Sequence, residues 1–357
     1  MFITKLLIIS CFANFLAIFS HALLLEENVK CVPLDHCAHL SDLTRPRRNK
    51  SHTTILMNLL HCYYDQDEVA HIKCFSTTKL QKILDKIQLL PEYEECGLEG
   101  LATKISGGER TEIDEFPWIV LLKYRTTNNK FNYGCHGNLI NNRYVLTAAH
   151  CVDPQITLKK NNGNVSSVVL GEYDISNNPD CITFEKQKVC ADEIKELQIA
   201  FFHIHPNYIR SSSYNDIALI RLESNVEFTE YIKPICLPPN YMNPPNNETL
   251  WIAGWGSDEN DVMNQIKVKA KFVLKTNTCG VPVNSTQYCA GSTENARTCP
   301  GDSGGPLMLR KAIKKTNRYF LIGVDSLGVW RCGTSSRIAI YTKVPSYIEW
   351  IVSTIDK

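Results

Sequence analysis

The sequence predicts an all-β domain closed by one short helix and preceded by a small disulfide-stapled module. Three observations carry this. From Ile105 onward, short apolar and β-branched runs such as Trp118–Leu122, Tyr144–Ala148 and Ile217–Leu222 alternate with Gly, Asn and Pro turns. The chain holds 15 cysteines, several of them crowded into the first hundred residues. Its 357 residues suffice for one large domain and one small one.

The elements follow in chain order. Residues 1–22 combine Lys5, an apolar stretch from Leu6 to Phe19 and Ser20-His21-Ala22, which reads as a secretory signal peptide cut after Ala22. Glu26 and Glu27 follow, the stretch is short for a span and no later run is long enough to cross a bilayer, so no membrane anchor is expected. Cys11 leaves with the signal, and 14 cysteines remain. An even count in an oxidising compartment predicts a complete disulfide set. Sequons at Asn49, Asn164, Asn247 and Asn284 agree with a secreted, extracellular glycoprotein.

Residues 23–75 contain Cys31-x5-Cys37 and Cys62-x11-Cys74 with few aromatic or β-branched runs; so small a segment is not expected to bury much core, and cross-links must restrict the unfolded chain. Residues 76–104 read as a linker and activation segment, with helical periodicity from Lys79 to Leu90 stopped by Pro91. Residues 105–357 form the large domain. Its last stretch, Tyr347 to Ile355, reads as a helix with Tyr347, Trp350, Ile351 and Ile355 on one side. The net charge of +1 gives no footprint for nucleic acid, and Arg45-Pro46-Arg47-Arg48 reads as a solvated loop or a secondary nicking site.

Three short runs carry chemistry. Ser303 lies in Gly301-Asp302-Ser303-Gly304-Gly305-Pro306, His150 in Thr147-Ala148-Ala149-His150-Cys151, and Asp216 in Asn215-Asp216-Ile217-Ala218-Leu219. A lone Gly-x-Ser-x-Gly fits many turns, but three extended matches in one order are specific. A serine hydroxyl is a poor nucleophile until a base takes its proton. His150 is the candidate base and later acid, and Asp216 the group that orients it. The order His, Asp, Ser is that of chymotrypsin-type enzymes rather than subtilisins or α/β-hydrolases.

With Lys104-Ile105-Ser106-Gly107-Gly108 and Pro234-Ile235-Cys236-Leu237-Pro238, these motifs resemble the S1 serine proteases of chymotrypsin type over residues 96–357. The whole chain resembles the arthropod CLIP-domain proteases of the easter and Grass kind, the CLIP likeness covering about residues 28–75. A full CLIP module has six cysteines. Here the first is absent and Lys73 stands at the fifth, so both halves of one bridge are missing. The resemblance implies a chymotrypsin-like double β-barrel with a C-terminal helix behind a reduced CLIP-like module. It implies the bridges Cys31–Cys62, Cys37–Cys74, Cys96–Cys236, Cys135–Cys151, Cys181–Cys190, Cys279–Cys289 and Cys299–Cys332.

The same likeness assigns roles. Backbone N–H groups of Gly301 and Ser303 form the oxyanion hole, and Ser326 hydrogen-bonds Asp216. Cleavage after Lys104 by an upstream trypsin-like protease frees the Ile105 ammonium to pair with Asp302. Cys96–Cys236 keeps the N-terminal piece attached after that cut. Partners implied are a protein substrate such as a downstream zymogen, and serpin inhibitors. No cofactor is required. Glu172 and Asp180 resemble a structural calcium loop, the alternative being solvated acids on a hairpin. His203-x-His205 lacks zinc-ligand spacing and reads as structural.

The specificity pocket departs from the family. Arg297 stands where most relatives carry Asp, six residues before Ser303. Asp325 replaces a wall Val, Ala339, after Ile338, replaces the glycine that opens the pocket, and Gly328 is counted in the same pocket. A buried guanidinium repels a cationic side chain. Four readings stay open: Arg297 recruits an acidic residue, pairs with Asp325 to leave a short neutral pocket, or turns to solvent, or else a cationic substrate reaches Asp325. Two functions compete. One is a secreted endopeptidase zymogen in an extracellular immune or developmental cascade. The other is a catalytically weak or silent scaffold that binds cascade partners.

Overall fold

The computed structural model describes residues 31–37, 40, 50–64, 66, 70–98, 111–158, 163–184, 186–256, 263–275, 279, 282–292, 303–328 and 338–357. Strands β1 (Cys31–Pro33), β2 (His61–Tyr64) and β3 (Ala70–Lys73) make a small antiparallel sheet in the order β1-β3-β2. Helix α1 (Lys50–Leu60) precedes β2 and buries Ile55, Leu56, Leu59 and Leu60. Leu40, Ile72 and Phe75 are buried as well, so this small region holds more apolar core than its length predicts, and the disulfides Cys31–Cys62 and Cys37–Cys74 cross it.

Helix α2 (Thr77–Ile87) lies where the periodicity from Lys79 predicts one. Ser76 caps it, its hydroxyl accepting the Lys79 N–H at 3.4 Å. Leu80, Ile83, Leu84 and Ile87 form the buried stripe of an amphipathic helix. Lys86 reaches from its end to the carbonyls of Ser353 and Ile355 at 2.6 and 2.8 Å. Those carbonyls close the C-terminal helix (Ile348–Thr354), which has no further helical donors to offer them. An ion pair from Lys73 to Glu349 at 3.7 Å joins the same elements. The chain up to Leu90 and Tyr347–Lys357 accordingly form one compact unit, and Pro91–Ser346 a second.

The second unit is built of two closed antiparallel barrels. Strands β4 (Ile119–Arg125), β5 (Phe131–Leu139), β6 (Tyr144–Thr147) and β7 (Asn164–Leu170) close with β10 (Lys195–Ile204) and β11 (Ala218–Leu222), in the order β10-β11-β6-β5-β4-β7. The intervening hairpin β8 (Cys181–Phe184) and β9 (Gln187–Cys190) is bridged by Cys181–Cys190. Strands β12 (Leu250–Gly254), β13 (Val268–Leu274), β14 (Gln287–Ser292), β15 (Pro306–Ile313), β16 (Thr316–Gly328) and β17 (Ile338–Lys343) close the other barrel in the order β12-β13-β14-β17-β16-β15. Closure removes the free strand edges of each barrel, and the inward residues fill the interior. Val120, Leu122, Val168 and Ile220 do so in the first barrel, and Leu250, Phe272, Leu307, Phe320 and Tyr341 in the second.

Residues 91–98 lie along the second barrel. Tyr93 packs edge-on against Phe320 with ring centroids 5.2 Å apart, and Arg318 donates to the Tyr93 carbonyl at 2.7 Å. Cys96 is bonded to Cys236, both buried. Gly97 must be glycine: its φ is +62°, and a Cβ there would fall 2.3 Å from the Tyr319 carbonyl oxygen. Cys135–Cys151 and Cys279–Cys289 are also bonded, while Cys299 and Cys332 lie outside the described residues.

Candidate active site

Each candidate side chain is delivered by a different local device. Strand β6 ends at Thr147, and the chain turns at once into a short helix (Ala149–Val152) that carries His150. Cys151, next in line, is tied to Cys135 of β5, and its carbonyl accepts the Tyr124 hydroxyl at 2.8 Å. Asp216 follows Asn215, whose φ of 56° lies in the left-handed region that Asn tolerates better than most residues. That tight turn, closed by Ile217 N–H to the Asn215 carbonyl at 2.8 Å, buries the carboxylate completely.

The buried carboxylate is saturated with donors. Its Oδ2 accepts from His150 Nδ1 at 2.7 Å and from the Ser326 hydroxyl at 2.6 Å, and its Oδ1 accepts the His150 backbone N–H at 2.9 Å. Thr342 Oγ1 donates to the Asp216 carbonyl at 2.8 Å. Burying a carboxylate is tolerable only when such partners replace water. With Nδ1 turned to Asp216, Nε2 is the nitrogen left for a reacting group. Nε2 lies 3.6 Å from Cys151 Sγ, but that sulfur is bonded to Cys135 and offers no thiolate to a metal.

Ser303 opens the turn into β15. Its carbonyl accepts the His136 N–H at 2.8 Å, one residue from Cys135, whose disulfide partner adjoins His150. Gly304 adopts φ +80°, and a Cβ there would lie 2.2 Å from the His136 carbonyl oxygen and 2.4 Å from Thr147 Oγ1. Only glycine brings the turn so close. Asn138 Nδ2 donates to the Gly304 carbonyl at 2.9 Å, and Gly304 N–H to the Asp325 carbonyl at 2.8 Å. The turn is thus gripped by both barrels.

Gly301, Asp302, Lys104, Ile105 and Arg297 lie outside the described residues, as does Asn49. On the wall, Asp325 is 5% exposed, and Gly328 of β16 pairs with the buried Ala339 of β17. Asn164 and Asn247 are exposed, whereas Asn284 is half-buried, its Oδ1 holding the Thr286 hydroxyl at 2.8 Å. His205 accepts the Asn207 N–H at Nδ1, and burial pushes its pKa down to about 4, so it stays a neutral structural group.

Glu172 and Asp180 converge on one backbone donor, the Tyr173 N–H, at 3.0 and 2.8 Å. Burial first, and then the neighbouring Asp180, push Glu172 up to about 7, and burial likewise raises Asp180. Lys267 is buried close by. Burial pulls its pKa down to about 8 against the opposing pull of Glu115, Glu172, Asp114 and Asp180.

His136, Asn138 and Thr342 contribute to this site without having been singled out in the sequence. Thr342 and Asn138 act through strand register and carry no local signature. A bulky ring between Gly134-Cys135 and Gly137 is the one signal that marks His136.

The family model described as Trypsin matches residues 105–351. The chain belongs to the trypsin family of serine proteases. The protease is 33% identical to Serine protease ea of Drosophila melanogaster over 353 residues, 93% of this chain and 89% of that one. It is 36% identical to Phenoloxidase-activating factor 1 of Holotrichia diomphalia, covering 92% and 91% of the two chains. It is 31% identical to the Spaetzle-processing enzyme of Drosophila melanogaster, covering 93% and 90%. The crystal structure of the Drosophila Grass clip serine protease of the Toll pathway superposes with a TM-score of 0.65 at 27% identity, over 91% of this chain and 94% of that one. The two closed barrels with their C-terminal helix are the chymotrypsin-like fold of that protein.

Proposed function

We propose that the protease is a secreted zymogen that, once cut after Lys104, hydrolyses a protein substrate within an extracellular immune or developmental cascade. The observation that carries this reading is the fully buried Asp216 carboxylate holding His150 by Nδ1. In the proposed reaction, Ser303 Oγ attacks the scissile carbonyl while His150 Nε2 takes its proton. Asp216 stabilises the imidazolium, with Ser326 sharing the carboxylate. The Gly301 and Ser303 N–H groups hold the oxyanion, and His150 then protonates the leaving amine. Activation would need a trypsin-like upstream protease to cut after Lys104, after which the Ile105 ammonium pairs with Asp302. A serpin is the fitting class of inhibitor. Among the described residues no helix is long and apolar enough to cross a membrane.

For specificity, the burial of Asp325 and the methyl of Ala339 at the wall support a short pocket in which Arg297 pairs with Asp325. Such a pocket takes small or apolar residues before the scissile bond. A structural calcium ion fits the pair Glu172 and Asp180. Both are oxygen donors, Asp180 Oδ1 is buried without a hydrogen-bond partner among the described residues, and both pKa values are raised. The ion would supply only fixed positive charge to that loop.

The test is labelling of Ser303 by a fluorophosphonate probe after cleavage at Lys104, with Ser303→Ala as control. Label is expected in cleaved protein alone. Correctly cleaved protein that stays unlabelled would favour the scaffold reading, in which the chain binds cascade partners without cutting them.

A further inference from the structure

His136 is fully buried and sits in β5 opposite Leu121. Its peptide does two things at the nucleophile turn. Its N–H donates to the Ser303 carbonyl at 2.8 Å, and its carbonyl receives the Thr147 hydroxyl at 2.7 Å while Gly304 passes in close contact. Its ring does a third thing on the other barrel. Nε2 accepts the Trp255 backbone N–H at 3.1 Å, and the imidazole stacks on the Trp255 indole at 5.6 Å and 15°.

The ring is there for a reason of backbone accounting. The β12–β13 ladder ends at the pair Gly254 and Val268, so the next amide, Trp255, has no strand partner. A buried N–H left unpaired is costly, and the imidazole nitrogen takes the place of the missing carbonyl. Gly254 makes room, since a Cβ there would lie 3.0 Å from the ring. Trp255 is held at its far end too, its indole N–H donating to the Tyr173 carbonyl at 3.0 Å. An acceptor at Nε2 requires a neutral ring with its proton on Nδ1.

We propose that His136 is a positioning residue for the reaction at Ser303: the Trp255 amide fixes its imidazole, and the fixed residue holds the Ser303 carbonyl and hence the nucleophile turn. This rests on the catalytic reading above. Misplacement of a reacting group by about 1 Å can cost roughly 100-fold in rate. The residue therefore acts through Ser303 without touching substrate.

The activated full-length protein, with His136→Gln and His136→Leu variants, tests this by its rates of phosphonylation with a fluorophosphonate probe. Gln supplies an oxygen for the Trp255 N–H, whereas Leu fills space without an acceptor. The expected result is His136→Gln within about threefold of wild type and His136→Leu slower by roughly 10- to 100-fold in the maximal inactivation rate, with the probe's half-saturating concentration unchanged. Imidazole nitrogen NMR on the folded chain should find Nδ1 protonated and Nε2 unprotonated at neutral pH. Equal losses in both variants, a wild-type rate in the Leu variant, or a proton on Nε2 would overturn the proposal. Wild-type protein that never labels would overturn the catalytic reading along with it, whereas labelled wild type with indifferent variants overturns this proposal alone.

Discussion

Ser326 of the second barrel donates its hydroxyl to Asp216 of the first at 2.6 Å, on the same oxygen that holds His150. The orientation of the imidazole therefore depends on both barrels at once. Asp216→Asn should leave the fold intact and lower kcat by roughly 10⁴-fold, since an amide in that place favours the wrong imidazole tautomer. Ser326→Ala removes one of the carboxylate's three donors and should lower kcat by only about tenfold. Steady-state kinetics on the activated enzyme, with circular dichroism to verify folding, separates the two.

Glu172 should make the metal-free protein less stable as pH rises. Its folded pKa is raised to about 7 from an ordinary 4.5, so the folded state binds more protons than the unfolded one between those values. The favourable contribution is present in full below pH 4.5 and is lost as pH climbs through 7. Glu172→Gln should flatten this slope in thermal melts run with a chelator. Added calcium should raise the Tm of wild type at pH 7.5 by several degrees and leave Glu172→Gln and Asp180→Asn unmoved. An unmoved wild type would remove the ion from the proposal.

Lys86 closes the C-terminal helix by donating to two of its last carbonyls. A cation is favourable at that end of a helix dipole, and burial already draws the Lys86 pKa downward. Lys86→Met keeps most of the stem and deletes the donors. It should destabilise by about 1–3 kcal/mol, measured by denaturant unfolding, with the phosphonylation rate of Ser303 unchanged.

Cys96 precedes Lys104 in the chain, and its disulfide partner Cys236 follows it. Cleavage after Lys104 should consequently give two pieces on a reducing gel and one band on a non-reducing gel. The double variant Cys96→Ala with Cys236→Ala should give two bands on both. Separation of the wild-type pieces without reductant would show a different bridge in the protein.

Gly304→Ala places a methyl group against the His136 carbonyl in a backbone conformation that L residues avoid. Loss of phosphonylation well beyond any loss in Tm is expected, because the strain falls on the turn that carries Ser303.

The chemistry-bearing runs around His150, Asp216 and Ser303 are legible without coordinates, because each depends on residue types within five or six positions. The all-β character is legible too, from β-branched runs punctuated by turns, and α2 from its apolar spacing and the proline beyond it. Helix α1 is not. Its Thr53-Thr54-Ile55 stretch is β-branched and leans toward strand, and only the burial of Ile55, Leu56, Leu59 and Leu60 decides for helix.

What the sequence determines alone is which groups are present and in what order, since reactivity belongs to side chains and turns to local backbone preference. What only the tertiary structure decides is who meets whom across barrels: Thr342 on the Asp216 carbonyl and the His136 ring on the Trp255 amide. The reason is strand register. A shift of one residue turns a side chain to the opposite face of its sheet, and no short run of sequence records where a partner strand more than a hundred residues away will align.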